Sequence, residues 1–243
     1  SDKSIEMKTL RYLVLAVCLL CQNLNAQDTM YIHKNNDTII KIAIDEIDSI
    51  IFYDYTIVTD VDGNRYNTLI IGDQVWMAEN LRVEHAPDGS GIVSYVYNDN
   101  ETYAKTYGRL YTWDVAMNGS VIEKAQGICP SGWHIPSDEE FKTLEMFYGM
   151  TQEAADSVNI WRGTGVGTLF KSGGETGYNA KLSGRITSSG VYSLLNSMEY
   201  MWTSNEYGDN AWRRSLSVSS DQIGRWNTFP KTYGFSVRCI KDE

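Results

Sequence analysis

The chain has 243 residues and a formal net charge of −10 at pH 7, with 21 basic and 31 acidic side chains. No stripe of basic residues interrupts this acidic character, which argues against binding to nucleic acid or to an anionic membrane surface. A chain of this length can bury the core of one sizeable globular domain and carry a small appendage beside it.

The N-terminal residues predict an exported protein. We assign residues 1–6 to natural or introduced upstream sequence, and residues 7–26 to a signal peptide that is cleaved near Ala26. Basic residues precede an apolar core at residues 12–20, which is shorter than the roughly 20 apolar residues of a membrane-spanning helix. Lipid attachment at a cysteine of this segment is the less favoured alternative, because neither cysteine follows a small residue. Cleavage leaves a net charge of −11 and no membrane span in the mature chain.

Two cysteines remain after the signal peptide, Cys129 and Cys239. In the oxidising setting outside the cytoplasm, one disulfide is a better interpretation of this pair than metal ligands or a redox couple. A crosslink that closes a loop of this length stabilises a domain by about 4–5 kcal/mol in the chain-entropy model. The sequence therefore predicts that the last strand is tied to the segment around Cys129.

Residues 27–54 predict a small β-rich unit. Asn35, Asn36 and Asp37 interrupt two alternating apolar runs, a pattern that is typical of a hairpin, and the run IIFY predicts a further strand. So small a unit cannot bury a core alone. We expect it to dock on the main domain or on a partner.

The main domain, residues 55–243, begins with strand signals. Asp62 and Gly63 form a hairpin turn signal between strands at about 56–61 and 64–71. A second turn, at Gly72 and Asp73, leads to a third strand.

Two or three short helices are predicted in the middle of the chain. Apolar spacing between Leu110 and Met117 indicates a first short helix. Ser137 and Glu140 form a capping box, which predicts a helix over 138–148. Another helical turn is predicted over 151–158, before a glycine-rich run that lacks the pattern of a phosphate-binding loop.

The C-terminal part predicts one antiparallel sheet. Period-two alternation and intervening turn residues mark four segments, MEYMWTSNEY, AWRRSLSVSS, IGRWNTF and GFSVRCIK. Arg213 and Arg214 are expected at the surface or in loops. The candidates for the buried face are Trp202, Leu216, Val218, Phe235 and Val237.

Five phrases occur in a fixed order between residues 55 and 242: VTDVDGNRYNTLIIGDQVWMAENL, YGRLYTWDVAM, CPSGWHIPSDEEF, MWTSNEY and YGFSVRCIKD. In this order they resemble the Fibrobacter succinogenes major paralogous domain, a family of secreted bacterial domains. The resemblance implies an α+β, C-type-lectin-like fold, more distantly similar to the formylglycine-generating enzyme group. It also implies that the protein is secreted or lies on the outer surface of a Gram-negative bacterium.

The resemblance does not bring an activity, because one fold hosts many functions. Calcium-dependent lectins use a Trp-Asn-Asp phrase on a late strand, where this chain has Trp226, Asn227 and Thr228. The missing aspartate removes a charged ligand that a hard cation needs. The formylglycine enzymes use a pair of cysteines that this mature chain commits to a disulfide. We therefore expect a protein that is not an enzyme and has no metal or other cofactor.

The favoured function is a secreted or cell-surface recognition module whose ligand is carbohydrate, because 16 tyrosines and 7 tryptophans supply rings that stack on sugars. The alternative is a structural component of a surface adhesin or fibre, in which the N-terminal hairpin adds a sheet edge to a neighbour. The expected partner is thus a glycan or a surface protein, and the oligomeric state stays open. Trp161 is a further candidate for an exposed face. The candidate ligand-binding residues are Asn205, Glu206, Asp209, Asn210, Trp212, Trp226 and Asn227.

Overall fold

A computed structural model describes residues 29–33, 39–44 and 56–243. The chain divides into two compact units, one ending at residue 52 and the other beginning at residue 53. The predicted signal peptide and the predicted strand IIFY lie outside the described residues. Within the described ranges, no helix has the length and apolar character needed to cross a membrane.

The described part of the N-terminal unit is a two-stranded antiparallel ribbon. Its strands are β1 (Thr29–His33) and β2 (Ile39–Ala43). Tyr31 lies opposite Lys41, whose Nζ is 5.6 Å from the centroid of the tyrosine ring. The two paired strands are those predicted on either side of the Asn-Asn-Asp turn.

The larger unit is α+β and rich in strands. Its strands are β3 (Thr56–Thr59), β4 (Arg65–Ile71), β5 (Gln74–Met77), β6 (Trp133–His134), β7 (Ile160–Arg162), β8 (Arg185–Ile186), β9 (Tyr192–Ser193), β10 (Met198–Tyr207), β11 (Asn210–Ser217), β12 (Ile223–Pro230) and β13 (Ile240–Lys241). Its α-helices are α1 (Ala104–Tyr107), α2 (Trp113–Ala116), α3 (Asp138–Phe147), α4 (Gln152–Asp156) and α5 (Val166–Phe170). The described residues thus hold five short α-helices where the sequence predicts two or three.

A five-stranded sheet has the order β3-β4-β5-β13-β6. Its first hairpin is confirmed, and Asp60 explains the tightness of the turn. The Asp60 carboxylate accepts hydrogen bonds from the backbone N–H of Asp62 and Asn64 and from the Tyr66 hydroxyl, at 3.0, 2.9 and 2.6 Å. Gly63 supplies the positive φ of 79° that the turn requires.

A four-stranded antiparallel sheet has the order β10-β11-β12-β7. The segment GFSVRCIK was predicted as its fourth strand, and this prediction is wrong. Ser236 makes only an isolated bridge to Met201, and Ile240 pairs instead with β5 and β6 of the other sheet. The predicted Cys129–Cys239 disulfide is confirmed, and it holds this segment beside β6.

The predicted capped helix is confirmed as α3. The Ser137 side chain accepts from the backbone N–H of Glu140, and the Glu140 carboxylate accepts from the backbone N–H of Ser137. This reciprocal pair satisfies two amides that a helix start leaves free. Phe141 and Leu144 then turn into the core against the four-stranded sheet.

Three burial predictions for the four-stranded sheet are wrong. Arg213 and Arg214 are 4% and 0% exposed, although the sequence predicts both at the surface. Residues on both faces of β11 are buried, because α3 packs on one face and Phe235 and neighbouring residues pack on the other. Val218 follows the end of this strand and is 62% exposed, although the sequence predicts it in the core.

Candidate functional site

The four-stranded sheet carries different side chains on its two faces. Arg213 lies opposite Trp226 in the β11–β12 ladder, and Arg214 lies opposite Arg225. Successive residues of a strand point to opposite faces and directly paired residues share a face. Arg213 and Trp226 therefore share one face, and Arg214 and Arg225 share the other. Trp212 belongs to the second face, with its ring 4.3 Å from the Arg225 guanidinium.

On the face covered by α3, buried arginines and carboxylates pair with one another. Arg214 donates to Asp138 at 2.5 Å and to Glu145 at 2.7 Å. Arg225 donates to Asp138 at 2.6 Å, and Arg162 pairs with Glu145. Burial acts to raise the pKa of Asp138, but the arginines outweigh it and hold the pKa at about 2. These charges compensate each other, so the cluster joins the helix to the sheet.

On the opposite face, Arg213 is buried without a carboxylate. Its Nη1 donates to the Ser215 hydroxyl, and its Nε has no hydrogen-bond partner among the described residues. The guanidinium carbon lies 4.0 Å from the centroid of Phe229 and 4.8 Å from that of Tyr200. Burial lowers the pKa of Arg213 to about 9, so the side chain is still a cation at neutral pH.

A second arginine contacts the same rings. The guanidinium carbon of Arg185 lies 5.5, 5.7 and 5.6 Å from the centroids of Tyr200, Phe229 and Tyr233. Arg185 Nε donates to a serine hydroxyl at 3.3 Å, and no carboxylate of the described residues forms an ion pair with it. Burial is the main cause of the lowered pKa of Arg213, and Tyr200 acts in the opposite direction. The positive charge of Arg185 lowers this pKa further. The two cations therefore lie close enough to repel each other.

Two tryptophans extend this face toward the edge of the sheet. Trp161 and Trp226 pack edge to face with ring centroids 6.4 Å apart, and both are partly exposed. A Cβ placed on Gly224 would lie 2.4 Å from Trp226 Nε1, so the glycine leaves the space that the indole occupies. The Trp226 ring lies 5.8 Å from the Arg213 guanidinium. We name these side chains the aromatic–arginine face: Trp161, Tyr200, Trp226, Phe229, Tyr233, Arg185 and Arg213.

The polar residues predicted to bind ligand gather at the turn between β10 and β11. Two of them already have protein partners. Asn205 Oδ1 accepts from the backbone N–H of Asp138 at 2.7 Å, and Glu206 pairs with Lys231 at 2.8 Å. The turn group consists of Asn205, Glu206, Asp209 and Asn210, of which Glu206 and Asp209 are exposed and the other two partly exposed.

The remaining predicted residues are separated from one another. Trp212 lies on the α3 side of the sheet, and Trp226 lies on the aromatic–arginine face. Asn227 is 6% exposed, and its Oδ1 accepts from Asn159 Nδ2 at 3.0 Å. This oxygen is therefore engaged within the protein. The described residues contain no group of three or more His, Cys, Asp or Glu side chains arranged to hold a metal ion.

A polar cleft elsewhere in the larger unit provides a concave surface. A cavity of about 510 Å³ and a neighbouring one of about 390 Å³ share Thr106 and Lys181 in their walls. Lys171 donates to two backbone carbonyls, and Lys181 donates to a serine hydroxyl and an asparagine oxygen. Because these two lysines already have partners and Arg213 does not pair with an acid, the aromatic–arginine face is the stronger candidate site.

The sequence did not identify Arg185, Arg213, Tyr200, Phe229 or Tyr233 as site residues. Period-two alternation separates Trp212 from Arg213, but deciding which of them faces Trp226 requires the register of the ladder. The β11–β12 register shifts between Ala211 and Arg213, and the neighbouring β10–β11 register shifts between Trp202 and Glu206. Such irregularities have no local signal in this chain. Arg185 lies in a strand of two residues, which is too short to show alternation.

Comparison with known proteins identifies one family. The model of the Fibrobacter succinogenes major domain matches residues 69–241, a range that includes β12 and every ring and arginine of the aromatic–arginine face. No curated protein and no solved structure shows a significant match to the chain.

Proposed function

The chain belongs to the Fibrobacter succinogenes major domain family, and we propose that this member is a noncatalytic recognition module that binds carbohydrate. The observation that carries the proposal is the aromatic–arginine face. There, the partly exposed rings of Trp161 and Trp226 pack on each other, and Trp226 lies beside Arg213, whose charge is not paired with an acid among the described residues.

Sugars have apolar ring faces and polar edges, and this surface offers complementary groups. Partly exposed aromatic rings pack on the apolar face of a sugar, while guanidinium N–H groups donate to its oxygens. Trp161, Trp226, Phe229 and Tyr233 are all partly exposed. The hydroxyls of Tyr233 and of nearby serines add further donors and acceptors.

The same proposal includes the C-type-lectin-like arrangement of the larger unit and its location. Two antiparallel sheets, several short helices, and a disulfide that ties the last strand to the middle of the chain support such a fold. The disulfide also supports secretion or display on the outer surface of a Gram-negative bacterium, because disulfides persist in oxidising compartments. In this proposal Trp226 contacts the sugar by its ring, and Asn227 has a structural role.

A glycan array tests the proposal directly. The full, disulfide-intact chain is applied with calcium and again with a chelator. Selective binding that survives the chelator is the expected result, since the proposed contacts are rings and guanidinium groups. An array without selective binding would refute carbohydrate recognition, and binding lost with the chelator would show that a calcium site had been missed.

Alanine substitution of two tryptophans provides a matched comparison. We expect Trp226→Ala to weaken glycan binding by about tenfold or more, because it removes a ring from the aromatic–arginine face. Trp212→Ala removes the same side chain from the opposite face and is expected to change affinity less than twofold. Binding is measured by isothermal titration, with thermal melting as the check on folding. Equal effects of the two substitutions on binding would disprove this placement.

The N-terminal ribbon supports a second candidate function, assembly through strand addition. In the described residues, β1 and β2 pair only with each other, and Tyr31 and Ile39 are 43% and 48% exposed. A two-stranded ribbon can accept a further strand at an edge. Deletion of residues 28–54 distinguishes the candidates: a glycan-binding module keeps its affinity, whereas an assembly component loses self-association in sedimentation experiments.

A further inference from the structure

The buried arginines of the larger unit differ in how their charges are compensated. Four of them, Arg109, Arg162, Arg214 and Arg225, form ion pairs with glutamate or aspartate. Arg238 donates to the Asn80 side-chain oxygen and to a backbone carbonyl. Arg213 is 4% exposed, hydrogen-bonds one hydroxyl, and lacks a carboxylate among the described residues. A buried charge is costly unless it is paired, so this one invites an anion.

Arg185 is a second positive charge at this site that needs an anion to compensate it. It shares two aromatic rings with Arg213, at 5.5 and 5.7 Å from the ring centroids, and within the described part of the chain it also has no acidic partner. The surrounding rings offset part of the cost through cation–π attraction, but they cannot neutralise two positive charges. The site is thus prepared for one negatively charged group from outside the protein.

We propose that the carbohydrate recognised by this face is an acidic one, and that a carboxylate on the sugar ring binds the partly exposed Arg185 and offsets the charge of the neighbouring, buried Arg213. This inference rests on the proposed function and specifies its ligand class. The planar guanidinium group matches the geometry of a carboxylate in paired hydrogen bonds. The flanking rings of Phe229, Tyr233 and Trp226 pack on the sugar that carries the acid.

The carboxylate is favoured over other anions by the apolar surroundings. Phosphate and sulfate esters also accept hydrogen bonds from guanidinium groups, but a phosphate ester brings nearly two negative charges into these apolar surroundings, where a carboxylate brings one. An acidic peptide supplies the same carboxylate but not a rigid ring with apolar faces to pack on the tryptophans. Both serve as alternative ligands in the test.

The first measurement compares an oligogalacturonate with its fully methyl-esterified form on the full, disulfide-intact chain. The array described above is extended with sialylated, uronate and sulfated oligosaccharides and with polyglutamate. We expect a carboxylated glycan to bind about tenfold or more tightly than its neutral ester. If neutral glycans bind as well as carboxylated ones, the present inference fails and the proposed function stands; an array with no glycan binding at all removes both. Preference for sulfated glycans or polyglutamate overturns the carboxylated sugar as ligand.

Arg185→Gln then tests the residue assignment, and Arg82→Gln is its matched control. Arg82 also lies over an aromatic ring, 4.4 Å from the centroid of Tyr66, but it pairs with Glu79. We expect Arg185→Gln to reduce the preference for acid over ester to about twofold or less, and Arg82→Gln to leave the preference intact. Arg185 is partly exposed, so its loss should not prevent folding. Equal preference in Arg185→Gln and the unmodified chain would refute the assignment.

Discussion

At the scale of single residues, neighbouring arginines on β11 have opposite roles. Arg214 lies between Asp138 and Glu145 and links α3 to the sheet. Arg213 points to the other face and contacts rings, and no acid in the ranges that the structure describes pairs with it. The ion pairs that stabilise the fold thus explain why Arg214 is buried. Arg213 adds a buried charge that folding alone does not require.

Replacing each arginine by methionine tests this contrast. Arg214→Met removes the one arginine that pairs with both buried carboxylates, Asp138 and Glu145, and is expected to lower the free energy of unfolding by about 3–5 kcal/mol. Arg213→Met removes an uncompensated charge and keeps the apolar volume, so we expect a change of less than about 1 kcal/mol or a gain. Urea unfolding followed by tryptophan fluorescence measures both. A large loss in Arg213→Met would show that the ring contacts make Arg213 a structural residue.

At the scale of elements, His134 joins β6 to α3 and to the C-terminal segment. Its Nδ1 lies 2.7 Å from Asp242 Oδ1, and its Nε2 lies 3.0 Å from Glu140 Oε1. Both ring nitrogens can donate to these carboxylates only when both carry protons. Burial acts to lower the pKa of His134, but the hydrogen bonds to Glu140 and Asp242 outweigh it and raise the pKa above its usual value.

This junction predicts a pH dependence of stability. A raised pKa means that the folded state binds the proton more tightly than the unfolded state, so stability falls as pH rises. The contribution of His134 is complete below the unfolded-state pKa of about 6.5 and is lost as the pH rises through the higher folded-state value. We expect His134→Gln, which does not titrate, to destabilise the protein more at about pH 5.5 than at about pH 9.

Urea unfolding at the two pH values, together with an NMR titration of the imidazole, measures this effect. The conservative glutamine keeps donor and acceptor groups in the pocket, so the comparison isolates the charge. Identical destabilisation at both pH values would show that the imidazolium form does not contribute.

Local signals explain which elements could be predicted. The capping box of α3 and the Asp62-Gly63 turn depend on residues within a few positions of each other, and both were predicted correctly. The partners of Asp138 on β11 and β12 lie 76 and 87 positions along the chain. Nothing near Asp138 distinguishes a buried ion-pair partner from an ordinary acidic residue in the first turn of a helix. The final segment was assigned to the wrong sheet for the same reason, since alternation gives a strand but not its neighbour.

At the scale of the whole molecule, the disulfide connects two distant parts of the larger unit. Cys129 and Cys239 are 110 positions apart, with Cα atoms separated by 6.0 Å. Both lie in the same hydrophobic cluster as Trp113, Trp202 and Phe235. The loop that they close contains α3, the four-stranded sheet and the entire aromatic–arginine face.

Removing this crosslink tests its contribution. We expect the Cys129→Ser, Cys239→Ser double variant to lose about 4–5 kcal/mol of unfolding free energy, because the unfolded chain regains the entropy of the open loop. Urea unfolding of the oxidised chain, the reduced chain and the double variant gives the comparison. The reduced chain should match the double variant; a loss below about 1 kcal/mol in both would mean that the unfolded chain stays compact without the bond.

The composition of the candidate site was predictable only in part. The many aromatic residues indicated that rings were available to stack on a sugar. Trp226, which stands at the tryptophan position of the lectin phrase, was among the predicted ligand-binding residues. Arg213 was expected at the surface or in a loop, because charged side chains are rarely buried without partners. Arg213 is buried without an ion pair among the described residues, so it is an exception that sequence statistics do not predict.

The disulfide also determines how a pulled molecule carries mechanical load. If the backbone is stretched from residue 56 to residue 243, tension passes through Cys129 directly to Cys239, and the residues between them do not bear it. An open loop of this size would add roughly 370 Å of extended chain. A pull between residues 56 and 243 would therefore leave α3, the four-stranded sheet and the aromatic–arginine face outside the force-bearing path.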